Sequence, residues 1–230
     1  MKYLLPIRDL AILTLLFVSC KKTQEPWVEL IQHESLKGWE VKNGTAEYQL
    51  KNGVVIGTTK FGSANTFLCT QEHYDNFILE FEVWVDSTIN SGVQFRSNSL
   101  ASYQNGRVHG YQAEIDPSDR AWSGGIYEEG KRGWLYNLEE HPEGRAAFKN
   151  GAWNHYRIEA IDNHLAIWVN HINTANLEDT ETASGFIGLQ VHSIADETQA
   201  GRQIKWKNIR IITNQPDEYI TPTTAALIKP

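Results

Sequence analysis

The sequence predicts an all-β domain, a sandwich or barrel of short antiparallel strands. Three observations predict it. Apolar and polar residues alternate with a period of two in segment after segment from Trp27 onward. Turn signals separate these segments at roughly 8–12-residue intervals. No stretch carries a helical period for three turns or more, and the chain holds no internal repeat.

Taken in order, the strands follow from local chemistry. Asn43-Gly44 and Asn52-Gly53 are Asn-Gly turns flanked by strand-like runs, with residues 47–50 and 54–59 forming a hairpin around the second. Residues 67–70 make a short strand. In residues 76–85, Leu79, Phe81, Val83 and Val85 share one face, and Glu80, Glu82 and Trp84 share the other. Residues 90–96 and 110–116 follow as two further strands. Residues 117–149 form a long loop rich in Gly, Pro and charge, carrying Trp122, Tyr127, Trp134 and Tyr136. Long ordered loops are usually functional, so these rings either stack on sugars or pin the loop to the domain. Strands return at 153–161 and 164–169, joined by an Asp162-Asn163 turn, with Asn170-His171 as the next turn. Residues 185–192 and 202–213 are the last two strands. Residues 215–230 are predicted to be a surface tail.

Length and composition set limits. The chain has 230 residues, enough for one large β domain. Its net charge of −7 and the lack of a basic stripe with interleaved aromatics argue against nucleic acid as a partner. Eight Trp, nine Tyr and eight Phe suit strands and sugar-stacking platforms. Lys2 and Arg8 flank an apolar run that is too short to span a bilayer comfortably. This reads as a secretory signal over residues 1–19. Leu16-Phe17-Val18-Ser19-Cys20 resembles a bacterial lipoprotein signal, which makes Cys20 the lipidated first residue of the mature chain. The expectation is a membrane partner through that lipid, a location in the cell envelope, a tether over residues 20–26 and a domain over residues 27–214. An ordinary cleaved signal, or a short anchor, is the alternative. Cys69 is then a buried free thiol, and a Cys20–Cys69 disulfide is its alternative.

Three segments place polar residues on one strand face. Gln94 and Arg96 share a face with Gly92. Gln112, Glu114 and Asp116 share a face two strands' length further on, and Gln190 aligns with His192 near the end of the chain. Glu82 is a further carboxylate candidate, and His109, Tyr127 and Trp134 are candidate rim residues.

An ordered set of short motifs resembles the 3-keto-disaccharide hydrolase domain family. The set includes Leu36-Lys37-Gly38-Trp39, Lys51-Asn52-Gly53, Asn90-Ser91-Gly92-Val93-Gln94-Phe95-Arg96, Gly110-Tyr111-Gln112-Ala113-Glu114, Gly124-Gly125-Ile126-Tyr127, Trp168-Val169-Asn170 and Gly188-Leu189-Gln190-Val191-His192. It runs from about residue 28 to 213. The resemblance implies a concanavalin A-like lectin/glucanase jelly roll, a two-sheet sandwich. It also implies cleavage of glycosides oxidised at carbon 3, with an oxidoreductase as the partner that makes the keto-sugar. Gln112 and Glu114 stand where the family pattern has the pair in the opposite order.

A ketone at carbon 3 acidifies the hydrogen on carbon 2, so a base there can drive expulsion of the group on carbon 1. On that chemistry His192 is a candidate base, Arg96 a candidate holder of the enolate oxygen, and Glu114 and Asp116 candidate acid or base. Glu114, Asp116 and His192 are also candidate ligands for a divalent cation. Glu82, Gln94, Gln112, Gln190, Tyr127, Trp134 and His109 are the candidate sugar contacts. Two other readings stand beside this one: a non-catalytic lectin-like module or envelope lipoprotein, and a retaining glucanase using Glu114 with a second carboxylate.

Overall fold

The structure, a computed structural model, describes residues 26–32 and 35–229. The signal segment, Cys20 and nearly all of the tether lie outside the described residues. The strands in chain order are β1 (Val28–Glu29), β2 (Trp39–Asn43), β3 (Glu47–Lys51), β4 (Val54–Thr58), β5 (Thr66–Thr70), β6 (Phe77–Val85), β7 (Ser91–Asn98) and β8 (His109–Ile115). They continue with β9 (Ile126–Glu129), β10 (Gly133–Tyr136), β11 (Asn154–Ile161), β12 (His164–Val169), β13 (Ile172–Glu178), β14 (Phe186–Val191) and β15 (Gln203–Ile212). A single helical turn, α1 (Pro142–Arg145), follows β10.

All pairings within the two sheets are antiparallel. One sheet runs β13-β12-β11-β6-β15-β4-β3, with β1 added beside β15. The other runs β10-β9-β8-β7-β14-β5-β2. Of the sandwich or barrel that the alternation predicts, the chain forms the sandwich, the two-sheet jelly roll that the family resemblance implies. The inward residues of each sheet meet in one core. Leu79, Phe81 and Val83 of β6, with Tyr156 and Ile158 of β11, are buried together with Val93, Phe95, Tyr111, Ala113 and Ile115 of the second sheet. Phe81 stacks on Tyr156 at 5.1 Å, and Phe95 on Tyr111 at 5.6 Å. Each large apolar side chain buried here contributes about 1.5–3 kcal/mol.

Turn chemistry explains two hairpins. Asn52 and Gly53 both adopt positive φ (52° and 72°), as the tight turn between β3 and β4 requires. Asn170 and His171 do the same between β12 and β13. Asn43-Gly44 behaves differently. It joins no hairpin, because β2 and β3 belong to different sheets. Gly44 lets the chain cross between them: a Cβ there would collide with Thr66 and with the Ala64 carbonyl.

One expectation needs correction, and two segments hold structure that the sequence reading leaves out. The stretch 117–149 is not a plain loop, since it holds the β9–β10 hairpin and α1. β13 carries Asn173, Thr174 and Asn176 at buried positions, so polar residues mask its strand pattern. Residues 215–229 run over the surface and are bonded to β13. The Asn173 Oδ1 accepts from the Thr224 and Ala225 amides at 2.8 Å each, and Asn176 donates to the Ala225 carbonyl at 2.9 Å. Ile228 then bridges Leu177, so the segment straps β13.

Candidate active site

The site is the outward face of the second sheet, where β14, β7, β8, β9 and β10 lie side by side. Cross-strand register sets Gly188, Gln94, Gln112, Tyr127 and Trp134 in one row across all five strands. Gly92 stands opposite Glu114. A Cβ on Gly92 would overlap the Gln112 side chain, so the glycine makes room for the glutamine that lies over it.

The amides form a directed lattice. Gln112 Nε2 donates to Glu114 Oε2 at 2.8 Å. That leaves Gln112 Oε1 as the acceptor for Gln94 Nε2 (2.6 Å) and Gln190 Nε2 (3.0 Å). Gln94 Oε1 in turn accepts from the Ser97 hydroxyl at 2.7 Å. With Gln112 Nε2 turned to Glu114, its acceptor end faces the Gln94 and Gln190 amides.

Glu114 is 4% exposed, and its Oε1 accepts from Asn90 Nδ2 at 2.6 Å. Burial pushes its pKa up to about 7, against the pull of the Asn90 and Gln112 donors and the Arg120 charge, with the Asp116 charge adding to the rise. It is therefore a carboxyl that holds and releases a proton near neutrality. His192 lies on the same cleft. Its Nδ1 is 2.6 Å from the Ser193 carbonyl oxygen. A carbonyl cannot donate, so Nδ1 carries the hydrogen and the Nε2 lone pair is left for the cleft. The Ser193 amide is held by Asn65 Oδ1 at 2.8 Å.

These groups line a cleft of about 360 Å³ together with Asn65, Asn90, Arg107, Arg120, Tyr127, Glu129 and Trp134. A second cleft of about 650 Å³ adjoins it and shares Asn65, Arg107 and Glu129. An Arg107–Glu129 ion pair (3.2 Å) stands where the two meet. Arg120 is held by Asp116, with Nε to Oδ2 at 2.8 Å, and its guanidinium packs against Trp122 and Trp134 at 4.9 and 5.0 Å. It lies 3.9 Å from Glu114 Oε1.

The structure brings together Glu114, Gln112, Gln190, His192, Tyr127 and Trp134 as the sequence reading expects. It moves five other candidates. Arg96 sits at a bulge between Phe95 and Asn98 with φ 45°, which turns its side chain off the polar face. It is buried and donates to the carbonyls of Asp75, Ala160 and Asp162 and to Asn76 Oδ1. Glu82 belongs to the other sheet and pairs with Lys207 at 3.2 Å on its outer face. Asp116 lies one residue past β8. Burial raises its pKa, but bonds from Ser118 and Arg120 outweigh that and hold it below the usual carboxylate range. It orients Arg120 rather than lining the cleft. His109 packs at a tilt against Tyr103, ring centres 4.1 Å apart, and bonds the Arg107 carbonyl, away from the rim. Gln94 is fully buried beneath Gln112.

The metal set fares no better. Among the described residues no three His, Cys, Asp or Glu side chains converge to hold an ion. Glu114 and Asp116 have their oxygens engaged by amide, hydroxyl and guanidinium donors. Asn65, Asn90, Arg107, Arg120 and Glu129 are cleft residues that sequence reasoning passes over. Two of them leave a trace: Asn90 opens the Asn90-Ser91-Gly92 motif, and Arg120 stands four residues beyond Asp116 in a loop with two tryptophans.

Residues 26–212 match the family model described as the 3-keto-alpha-glucoside-1,2-lyase-like domain. The chain belongs to this family. It is a carbohydrate-active, glycosyl-hydrolase-like jelly-roll domain. Two crystal structures of candidate glycosyl hydrolases from Parabacteroides distasonis share the fold. One is 15% identical with TM-score 0.58, covering 82% of this chain and 94% of that one. The other is 18% identical with TM-score 0.56, covering 82% and 99%. The carbohydrate binding module CBM66 from Bacillus subtilis is 14% identical with TM-score 0.52, covering 75% and 93%. These likenesses show the fold. No curated protein matches the chain.

Proposed function

We propose that this lyase-like domain cleaves 3-keto-glycosides by elimination across the bond between carbons 1 and 2. The observation that carries it is Glu114, a buried carboxyl whose pKa stands near 7 in a cleft shared with an imidazole whose Nε2 is unshared. His192 Nε2 removes the hydrogen from carbon 2, and the electron pair moves onto the carbon 3 oxygen as an enolate. Arg120, fixed by Asp116 and the two indoles, is the cation for that oxygen. The enolate collapses to an enone as the bond from carbon 1 to its oxygen breaks. Protonated Glu114 gives its hydrogen to the departing oxygen. The histidine then returns a proton to Glu114, and water adding to the enone makes the net reaction a hydrolysis. Arg120 takes the role that the sequence assigns to Arg96.

The adjoining cleft leaves room for the departing sugar of a 3-keto-disaccharide. An oxidoreductase that turns the carbon 3 hydroxyl into a ketone must supply the substrate. The glucanase reading puts its second carboxylate at Asp119, which lies in the loop beyond β8 and does not line the cleft. The lectin-like reading keeps some support, because Tyr127 and Trp134 offer rings to a sugar whether or not a bond is cut.

Purified protein incubated with a 3-keto-disaccharide, with and without chelator, tests the proposal. Release of the leaving sugar at a rate the chelator does not change is expected. Glu114→Gln and His192→Ala should still bind the sugar and fail to cleave it. Binding by the wild type with no turnover would hand the domain to the lectin-like reading.

A further inference from the structure

The outer face of the first sheet lies on the side of the sandwich opposite the cleft. Three of its tryptophans have a cation on the ring. Arg210 sits over Trp27 at 4.4 Å, Lys205 over Trp84 at 4.6 Å and Lys207 over Trp153 at 4.4 Å. β15 supplies all three cations. Lys205 stands directly opposite Trp84 in register. Trp153 is 36% exposed, and Trp27 and Trp84 are half-buried. None of the six lines the candidate active site. Trp27 also opens the described domain, only seven positions after Cys20. An extended chain spans at most about 3.3–3.6 Å per residue, so acylated Cys20 would hold Trp27 within roughly 25 Å of the lipid.

We propose that this face rests on a phospholipid bilayer, with the chain tethered through acylated Cys20 and the cleft opening away from the membrane. Indole rings favour the headgroup level of a bilayer, and Lys205 beside Trp84 reaches the phosphates, while Lys207 and Arg210 are shared with Glu82 (3.2 Å) and Glu80 (2.6 Å). A sugar polymer is the poorer occupant. The rings offered to sugar, Tyr127 and Trp134, line a cleft, whereas Trp27, Trp84 and Trp153 line neither of the two clefts. The protein's net charge of −7 gives no strong pull toward anionic lipid. The face does not need one. The tether raises its local concentration at the surface, and the three ring–cation pairs then set the orientation.

Hydroxyl-radical footprinting of the acylated mature protein on phosphatidylcholine–phosphatidylglycerol vesicles tests this, with Cys20→Ala protein lacking residues 1–19 and the same vesicles as reference. Oxidation of Trp84 and Trp153 should slow several-fold in the acylated protein, while Tyr127 and Trp134 label at an unchanged rate. Acylated protein carrying Lys205→Glu and Lys207→Glu should still sediment with vesicles but lose the protection. Equal labelling of the acylated and Cys20→Ala proteins overturns the proposal, as does protection at Tyr127 and Trp134 instead. Protection of Trp84 and Trp153 by a soluble polysaccharide without vesicles overturns it in favour of a carbohydrate platform.

Discussion

Asn90 Nδ2 donates to Glu114 Oε1 at 2.6 Å, from the residue just before β7 to the strand beside it. With Gln112 on the other oxygen, Glu114 has a donor for each, yet burial still lifts its pKa to about 7. A group raised in this way binds more protons folded than unfolded between about 4.5 and 7. Stability therefore falls as pH rises through that window and stays lower above it. The shift corresponds to about 3 kcal/mol. Glu114→Gln should remove this part of the pH dependence, read as denaturant midpoints at pH 5 and pH 8. The same variant should lose about 10²–10⁴-fold in turnover. In the wild type, turnover should decline above pH 7 as the acid loses its proton.

The Gln112 bond lowers the Glu114 pKa, so removing it moves the value up. Gln112→Met should shift the alkaline limb of the rate profile to higher pH. It also leaves the Gln94 and Gln190 amides without their acceptor, at about 1–3 kcal/mol each. A pH–rate profile and a melt on the same sample separate the two effects.

Arg96 belongs to the fold and not to the chemistry. Arg96→Met strands the carbonyls of Asp75, Ala160 and Asp162, and should cost about 3 kcal/mol or more of stability. Turnover per folded molecule should be unchanged. A large fall in kcat in fully folded variant would return Arg96 to the site.

Asp116→Ala frees Arg120 from its 2.8 Å bond. A cation that binds the enolate acts after the ground state, so kcat should fall about 10–100-fold with KM little changed. A rise in KM with kcat unchanged would place Arg120 in ground-state binding instead.

Ending the chain after Asn214 removes the strap over β13. The Asn173 and Asn176 side chains are buried and bonded to that strap, so several net hydrogen bonds of about 0.5–1.5 kcal/mol each go with it. Thermal melting should show a clear loss of stability.

Much of the cleft floor is legible in the sequence. Alternation alone puts Gln112 and Glu114 on one face of β8 and aligns Gln190 with His192. Arg96 shows why alternation can fail. Period-two reasoning assumes an unbroken pleat, and one positive φ at residue 96 reverses the face. Glu82 shows a second cause. Its strand and its facing are read correctly, but nothing local says which of two sheets a strand joins. Arg120 and Asn65 stand outside the regular strands, on segments that carry no period to read.

The sequence by itself determines that the chain is β, where most strands turn, and that three strands carry polar faces, because these rest on backbone sterics and side-chain alternation within a few residues. Only the tertiary structure decides which strands become neighbours, which carboxyl is buried enough to titrate near neutrality, and which arginine reaches it. Those depend on long-range antiparallel register and on the exclusion of water, and neither is a property of any short stretch of chain.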